Sequence, residues 1–465
     1  MPPPSEPVAP PGLESDGVSR GGPFFERVDW LTFLLTSGGA LAVYLFTMAP
    51  EVTLENSGML VTGAAYAGVP HIPGYPVWTL WAWLFTKLLP FSNFAWRVGV
   101  ASGVAAALAA GLIALLVSHG GKMLLEKNAA FTARKPSEQN LLRLGSGCAA
   151  GLGLGLSSSV WPQAVVAETW TFGLFLFTAI FCLLLRWLHE PARRRYLYGA
   201  IYLYGALLTG NQELVLAGPA LLVFVIIGDT KIGRDFFLLL ALMVGIGCWS
   251  RLFSPLIVFQ SYTNHNLLLL FAFVAIVIPA VVVIIKTRRA GTHLGGATLC
   301  MIFLLLGVSW YLYLPVASMT NPPMNWGYPR TVNGFIHAIS RGQMQMCDPV
   351  KSVVRFAEQS GTLVRRTGDG LGWTYLVFAA LPLCLIYWMP PLMRKWVLGL
   401  IAAFICVGPL MLATLNPAKE RASWDMITPY FSSMYAVLVI FAGLGLVAFS
   451  NRVVKVSSAD HFHRE

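Results

Sequence analysis

Residues 97–118 read RVGVASGVAAALAAGLIALLVS, with one charge at the first position and none after it. Such a run is what the hydrocarbon slab of a bilayer demands, about 20 mainly apolar residues in a helix. Inside that slab every main-chain group must bond internally, which a helix achieves within one segment. Working outward, comparable stretches recur at 30–50, 144–163, 169–188, 197–210, 213–228, 236–256, 266–285, 295–314, 373–390, 396–415 and 428–449. The pattern predicts an all-α, polytopic membrane protein with about 12 transmembrane helices. The membrane domain is expected over 30–449, between a Pro- and Gly-rich disordered tail at 1–29 and a short tail at 450–465.

The composition agrees. Of 465 residues 56 % are hydrophobic and 11 % charged, against about 25 % charged in soluble chains. The formal charge of +11 therefore does not indicate a nucleic-acid partner. With the N-terminal tail inside, 21 of the 32 Lys and Arg fall in the tails and loops of the same side. By the positive-inside rule this places both termini in the cytoplasm of a cell (inner) membrane protein. The seven Cys form no CxxC pair and the eight His are dispersed, so neither a disulfide framework nor a metal site is expected. Gly147, Gly151 and Gly155 align three bare patches on one helix face, where a neighbouring backbone is expected to approach.

Two outer segments, 51–96 and 315–372, are too long for turns and are rich in Pro, Trp and Tyr. They are expected to hold short surface helices, and any chemistry. Glu55 lies just beyond the first helix, and His71 sits in the Pro- and Gly-punctuated stretch 68–76. Together they offer a carboxylate and an imidazole of the kind a general base at the membrane surface requires, or else a helix cap and a packed His. Glu168 abuts a helix end on the same side. Asn211-Gln212-Glu213 reads as a polar turn, or as an ion-coupling site in a broken-helix transporter. Trp424-Asp425 reads as a helix cap.

The run from Thr53 to Arg97 resembles the opening motif of the domain-of-unknown-function 2723 family, which typically reads Asp-Ser-Gly-Glu-Leu and then Gly-(Ile/Val)-Pro-His-Pro-Pro-Gly-Tyr-Pro. Here the second string stands as Gly68-Val69-Pro70-His71-Ile72-Pro73-Gly74-Tyr75-Pro76. Trp161 to Trp170 is similar to that family's second outer loop, and Asn321-Pro322-Pro323-Met324-Asn325-Trp326-Gly327 with Ser340-Arg341-Gly342-Gln343 to its long outer segment.

The resemblance implies a GT-C-like fold akin to transmembrane protein O-mannosyltransferases. It implies transfer of a sugar from a polyprenyl-phosphate donor to an acceptor hydroxyl on the non-cytoplasmic face, with an acid of the first outer loop as base. The donor is a substrate; no cofactor is implied. One departure is plain: the family's two acids are replaced by Asn56 and Met59, leaving Glu55 one position early. Glu55 or Glu168 is then expected as base, Arg341 as phosphate partner, and Tyr75 and Trp326 as stacking faces for sugar or prenyl chain. Asn56 and His71 complete the expected substrate contacts, and Trp78 is expected as an interface-belt residue. The alternatives are a non-catalytic lipid-sugar-binding subunit of an envelope complex, suggested by Asn56 and Met59, and a transporter or flippase.

Overall fold

The computed structural model describes residues 23–54, 56–253, 276–341 and 348–462. Among them there is no strand, only an isolated bridge between Val69 and Asn325; the molecule is all-α. Its centre is a long helix, Phe94–Leu125 (α4 below), which contains the 97–118 run and is opened by Asn93, whose side chain accepts from the Trp96 N–H at 2.9 Å. Before it lie α1 (Arg27–Thr47), α2 (Ser57–Ala65) and α3 (Pro76–Leu88). After it come α5 (Pro136–Gly155), α6 (Trp170–His189), α7 (Arg195–Leu208), α8 (Gly218–Gly228) and α9 (Thr230–Phe253).

The later chain forms α10 (Leu294–Val308), α11 (Tyr313–Met319), α12 (Val332–Ile339), α13 (Val353–Leu371), α14 (Trp373–Cys384), α15 (Pro391–Ile405) and α16 (Ser432–Phe462). A π-turn at Cys406–Leu410, holding Pro409, follows α15, as expected where a ring removes a main-chain donor.

Among the described residues six helical runs are long and apolar enough to cross a membrane: α1, α4, α6, Leu294–Met319, Pro391–Leu415 and Arg421–Arg452. Gln212–Gly228, Ile276–Thr287 and Trp373–Cys384 are apolar but shorter. The predicted span at 266–285 lies partly outside the described residues. Helix α16 continues to Phe462, into the stretch expected as the C-terminal tail. The segments 51–96 and 315–372 contain helices: α2 and α3 in the first, α12 and the 19-residue α13 in the second.

The glycine stripe of α5 packs as expected. A Cβ on Gly147 would stand 2.7 Å from the Ala114 carbonyl oxygen, and one on Gly151 2.5 Å from that of Ala110, so α5 lies backbone to backbone on α4. At the N-terminal end of α1 a charged knot ties three helices. Arg143 of α5 bonds Asp29 at 2.7 Å and Glu26 at 2.6 Å, while Ser118 and His119 of α4 also reach Asp29, which is fully buried. Lys122 and Arg143 are thus not free charges but partners of Glu26 and Asp29.

Candidate functional site

The segments 51–96 and 315–372 meet. The Val69 N–H donates to the Met324 carbonyl at 2.9 Å, and the Trp326 N–H to that of Val69 at 3.0 Å. The Tyr313 hydroxyl donates to the Gly68 carbonyl at 3.1 Å. Val69, Ile72, Leu314, Ala317 and Ala338 close into a small apolar core beneath this contact. Gly74 (φ +103°) and Tyr75 (φ +46°) are consecutive left-handed residues, and a Cβ on Gly74 would lie 2.3 Å from Leu314. That turn sets Tyr75 at the head of α3.

Five separate segments converge around Tyr75. Glu213 and Arg341 both act electrostatically on its phenol, as do Tyr430 and Glu168, and burial pushes its pKa above the ordinary tyrosine range. Arg341 Nη2 stands 3.9 Å from Glu213 Oε2, and the Tyr430 hydroxyl bonds the same guanidinium. Burial alone would lower the pKa of Arg341; Tyr75, Glu213 and Tyr430 outweigh it and hold it above its ordinary value. Tyr430 also packs on Trp170, ring centres 4.5 Å apart. Gln212 anchors the arrangement, donating at 2.7 Å to both the Tyr311 hydroxyl and the Ile339 carbonyl just ahead of Arg341.

Glu168 is buried and its main chain is fixed from two helices. Its carbonyl accepts from the Trp78 indole and the Ser102 hydroxyl, each at 3.0 Å, and its N–H donates to Ser102 at 3.1 Å. One carboxylate oxygen accepts from the Thr169 N–H at 3.1 Å. A crevice of about 10 Å³ beside it, lined by Tyr75, Trp78, Thr169 and Asn211, has room for about one water.

His71 and Trp326 form a second group beside the first, ring centres 4.9 Å apart. His71 Nδ1 donates to the Ile72 carbonyl at 2.9 Å. Trp326 borders an open cavity of about 280 Å³ that runs from Asn321 to Tyr328.

Of the expected site residues, Tyr75, Glu168 and Arg341 come together, with His71 and Trp326 adjoining. Asn56 does not join them: it is exposed at the start of α2. Glu55 lies outside the described residues. Three readings are corrected. Asn211-Gln212-Glu213 is not a surface turn; Asn211 is buried and the Glu213 side chain is 9 % exposed. Trp78 is buried inside the protein, not in an interface belt. Asp425 caps nothing; it pairs with Arg366 at 2.7 Å and Arg421 at 3.4 Å. Tyr430 is the residue not anticipated, and Gln212 and Glu213, expected in a turn or an ion-coupling site, stand instead beside the Arg341 segment. The available signal was three hydrogen-bonding side chains in succession between apolar helices, which is costly unless partnered. Among the described residues no group of His, Cys, Asp and Glu could hold a metal ion.

Residues 56–233 match the family described as the protein O-mannosyl-transferase TMEM260 N-terminal domain. That region includes Tyr75, Glu168 and Glu213 but not Arg341 or Trp326. The chain is 36 % identical over 123 residues to the protein O-mannosyl-transferase TMEM260 of Mus musculus, covering 24 % of this chain and 17 % of the relative. It is 31 % identical over 77 residues to the protein O-mannosyl-transferase tmem260 of Dictyostelium discoideum, covering 16 % of this chain and 9 % of the relative. The similarity thus spans under a fifth of either relative's length, and within it the chain resembles a membrane mannosyltransferase family.

Proposed function

We propose that this chain is a multi-pass membrane glycosyltransferase that moves a sugar from a polyprenyl-phosphate donor to an acceptor hydroxyl on the non-cytoplasmic face. The names of its relatives make mannose the first sugar to test. In this reading the three shorter apolar helices, together with α5, α7 and α9, complete a set of about 12 spans around the site. The observation that carries it is the convergence of Tyr75, Glu168, Glu213, Arg341 and Tyr430 from five segments.

Arg341 holds the donor phosphate, since a guanidinium is always charged and its planar fork suits phosphate oxygens. Glu168 takes the proton of the acceptor hydroxyl as its oxygen attacks the sugar's anomeric carbon. Polyprenyl phosphate departs with the bonding pair, and the configuration at carbon inverts. Glu55 is the second candidate for the base. Tyr75, Trp326 and His71 line the path of the sugar. Mass spectrometry of lipid that co-purifies with the full chain is the test, together with transfer of radiolabelled mannose from its polyprenyl phosphate to serine- and threonine-rich peptides. A bound lipid-linked sugar, lost in Arg341→Ala, is expected; purified protein that neither carries nor binds one overturns the reading.

Asn56 and Met59, standing where the resembled family has acids, favour a second reading, a subunit that binds the lipid-linked sugar without transferring it. Binding without transfer by the parent protein, and transfer gained in the Asn56→Asp/Met59→Glu variant, is its signature.

A further inference from the structure

Glu213 is a buried carboxylate that the reaction outlined above does not use. Its Oε1 accepts from the Asn211 amide at 3.0 Å. Its Oε2 has no hydrogen-bond partner among the described residues, and neither has Arg341 Nε. At 3.9 Å the two side chains attract without hydrogen bonding. Each therefore keeps one polar atom unused, an acceptor on one side and a donor on the other. Other polar groups around the pair include the Tyr75 and Tyr430 hydroxyls and the Tyr311 hydroxyl held by Gln212, and Glu168 also acts on Tyr75.

These unused atoms distinguish between lipid phosphates. A phosphate monoester carries about −1.5 to −2 charge near neutral pH and offers mainly acceptors. It satisfies Arg341, but it has little to donate to Glu213 and repels it. A sugar phosphodiester carries one negative charge and brings hydroxyl donors close to the phosphate. We propose that Glu213 is a sugar-sensing residue. Its Oε2 accepts a hydroxyl of the donor's sugar while Arg341 holds the phosphate, so the pair retains the loaded lipid and rejects the spent one. When the glycosyl bond breaks, the hydroxyls leave with the sugar and the remaining phosphate gains charge beside Glu213, which drives product release. This inference rests on the lipid-linked-sugar reading above.

The test measures affinity of the full-length protein in nanodiscs for three probes: undecaprenyl-phosphate mannose, the methyl phosphodiester of undecaprenol, and undecaprenyl phosphate. The parent should bind them in that descending order, with the hydroxyl contact worth about ten-fold. Glu213→Gln should bind the monoester at least as well as the methyl diester, and in turnover should show stronger inhibition by undecaprenyl phosphate. If the variant keeps the parent's order, the inference is overturned. Should the variant not fold, the parent decides alone: monoester bound more tightly than methyl diester, or all three bound equally, overturns the inference and leaves the reading intact. A parent that binds none of the three overturns both.

Discussion

The indole N–H of Trp78 donates to the main-chain carbonyl of Glu168 across 3.0 Å, joining the head of α3 to the entry of α6 at a point buried from both sides. Ser102 of α4 grips the same carbonyl, so Glu168 is positioned by its backbone before its carboxylate does anything. Trp78→Phe keeps an aromatic ring but removes one of the two donors and part of the buried indole. Unfolding in detergent should show a loss of about 1–3 kcal/mol. If Glu168 acts as base, transfer should fall with donor KM unchanged.

The glycines of α5 make a paired prediction. A Cβ on Gly151 meets the Ala110 carbonyl at 2.5 Å and Thr36 at 2.6 Å, whereas one on Gly145 meets nothing within 4 Å. Gly151→Val should therefore push α5 off α4 and cost about 1–3 kcal/mol. Gly145→Ala, in the same helix but facing open space, should be neutral or gain up to about 1 kcal/mol from helix propensity. Thermal denaturation of the two variants beside the parent separates them.

What was readable in the chain follows from which forces are local. The run at 97–118 declares a helix because apolarity and length act within one segment, and the stripe at Gly147 and Gly151 declares a close contact because four-residue spacing puts both on one face. The meeting of the segments 51–96 and 315–372 was legible only through motif strings, since the Val69 and Met324 contact joins residues far apart in sequence. The burial of Glu213 was legible only through the ion-coupling alternative, and its pairing was not legible at all, because Arg341, the cation that makes it tolerable, lies on a segment far away in sequence. Asn56 illustrates the opposite case: a motif position marks it, yet its surroundings leave it exposed.

The knot at the start of α1 carries a third prediction. Asp29 is fully buried and Arg143 is nearly so, with Glu26 sharing the guanidinium. Arg143→Met would leave Asp29 with its His119 and Ser118 contacts but no permanent cation, at a cost of about 3–5 kcal/mol. The double variant with Asp29→Asn should recover part of that loss, because the uncompensated charge is gone. Calorimetry of the single and double variants gives the coupling directly.

Glu26 in that knot has a pH signature of its own. Partial burial works to raise its pKa, but hydrogen bonds and charge from Lys122 and Arg143 outweigh this and hold it below the ordinary glutamate value. A group whose folded pKa is depressed binds fewer protons in the folded state, so its contribution is complete above the unfolded pKa and is lost as pH falls through the folded one. Stability should decline with acidification beginning near the ordinary glutamate range, and Glu26→Gln should flatten that part of the profile. A melting profile in which the variant and parent run parallel from neutral pH downward would contradict this assignment.

Gly74 connects the outer fold most directly to the site. It occupies φ +103°, where side chains are strained, and a Cβ there would stand 2.3 Å from Leu314. The following residue, Tyr75, is also left-handed and presents its phenol to Arg341 and Glu213. Gly74→Ala cannot keep both the turn and the Leu314 contact, so Tyr75 must move relative to the guanidinium. The contact touches only the last part of the Leu294–Met319 run, so global melting should change less than binding does. Affinity for undecaprenyl-phosphate mannose should fall about ten-fold or more, since a shift of an ångström in a positioned contact is that costly. The companion variant Leu314→Ala/Gly74→Ala makes room for the Cβ and leaves only the backbone strain, so its recovery measures how much of the loss is steric.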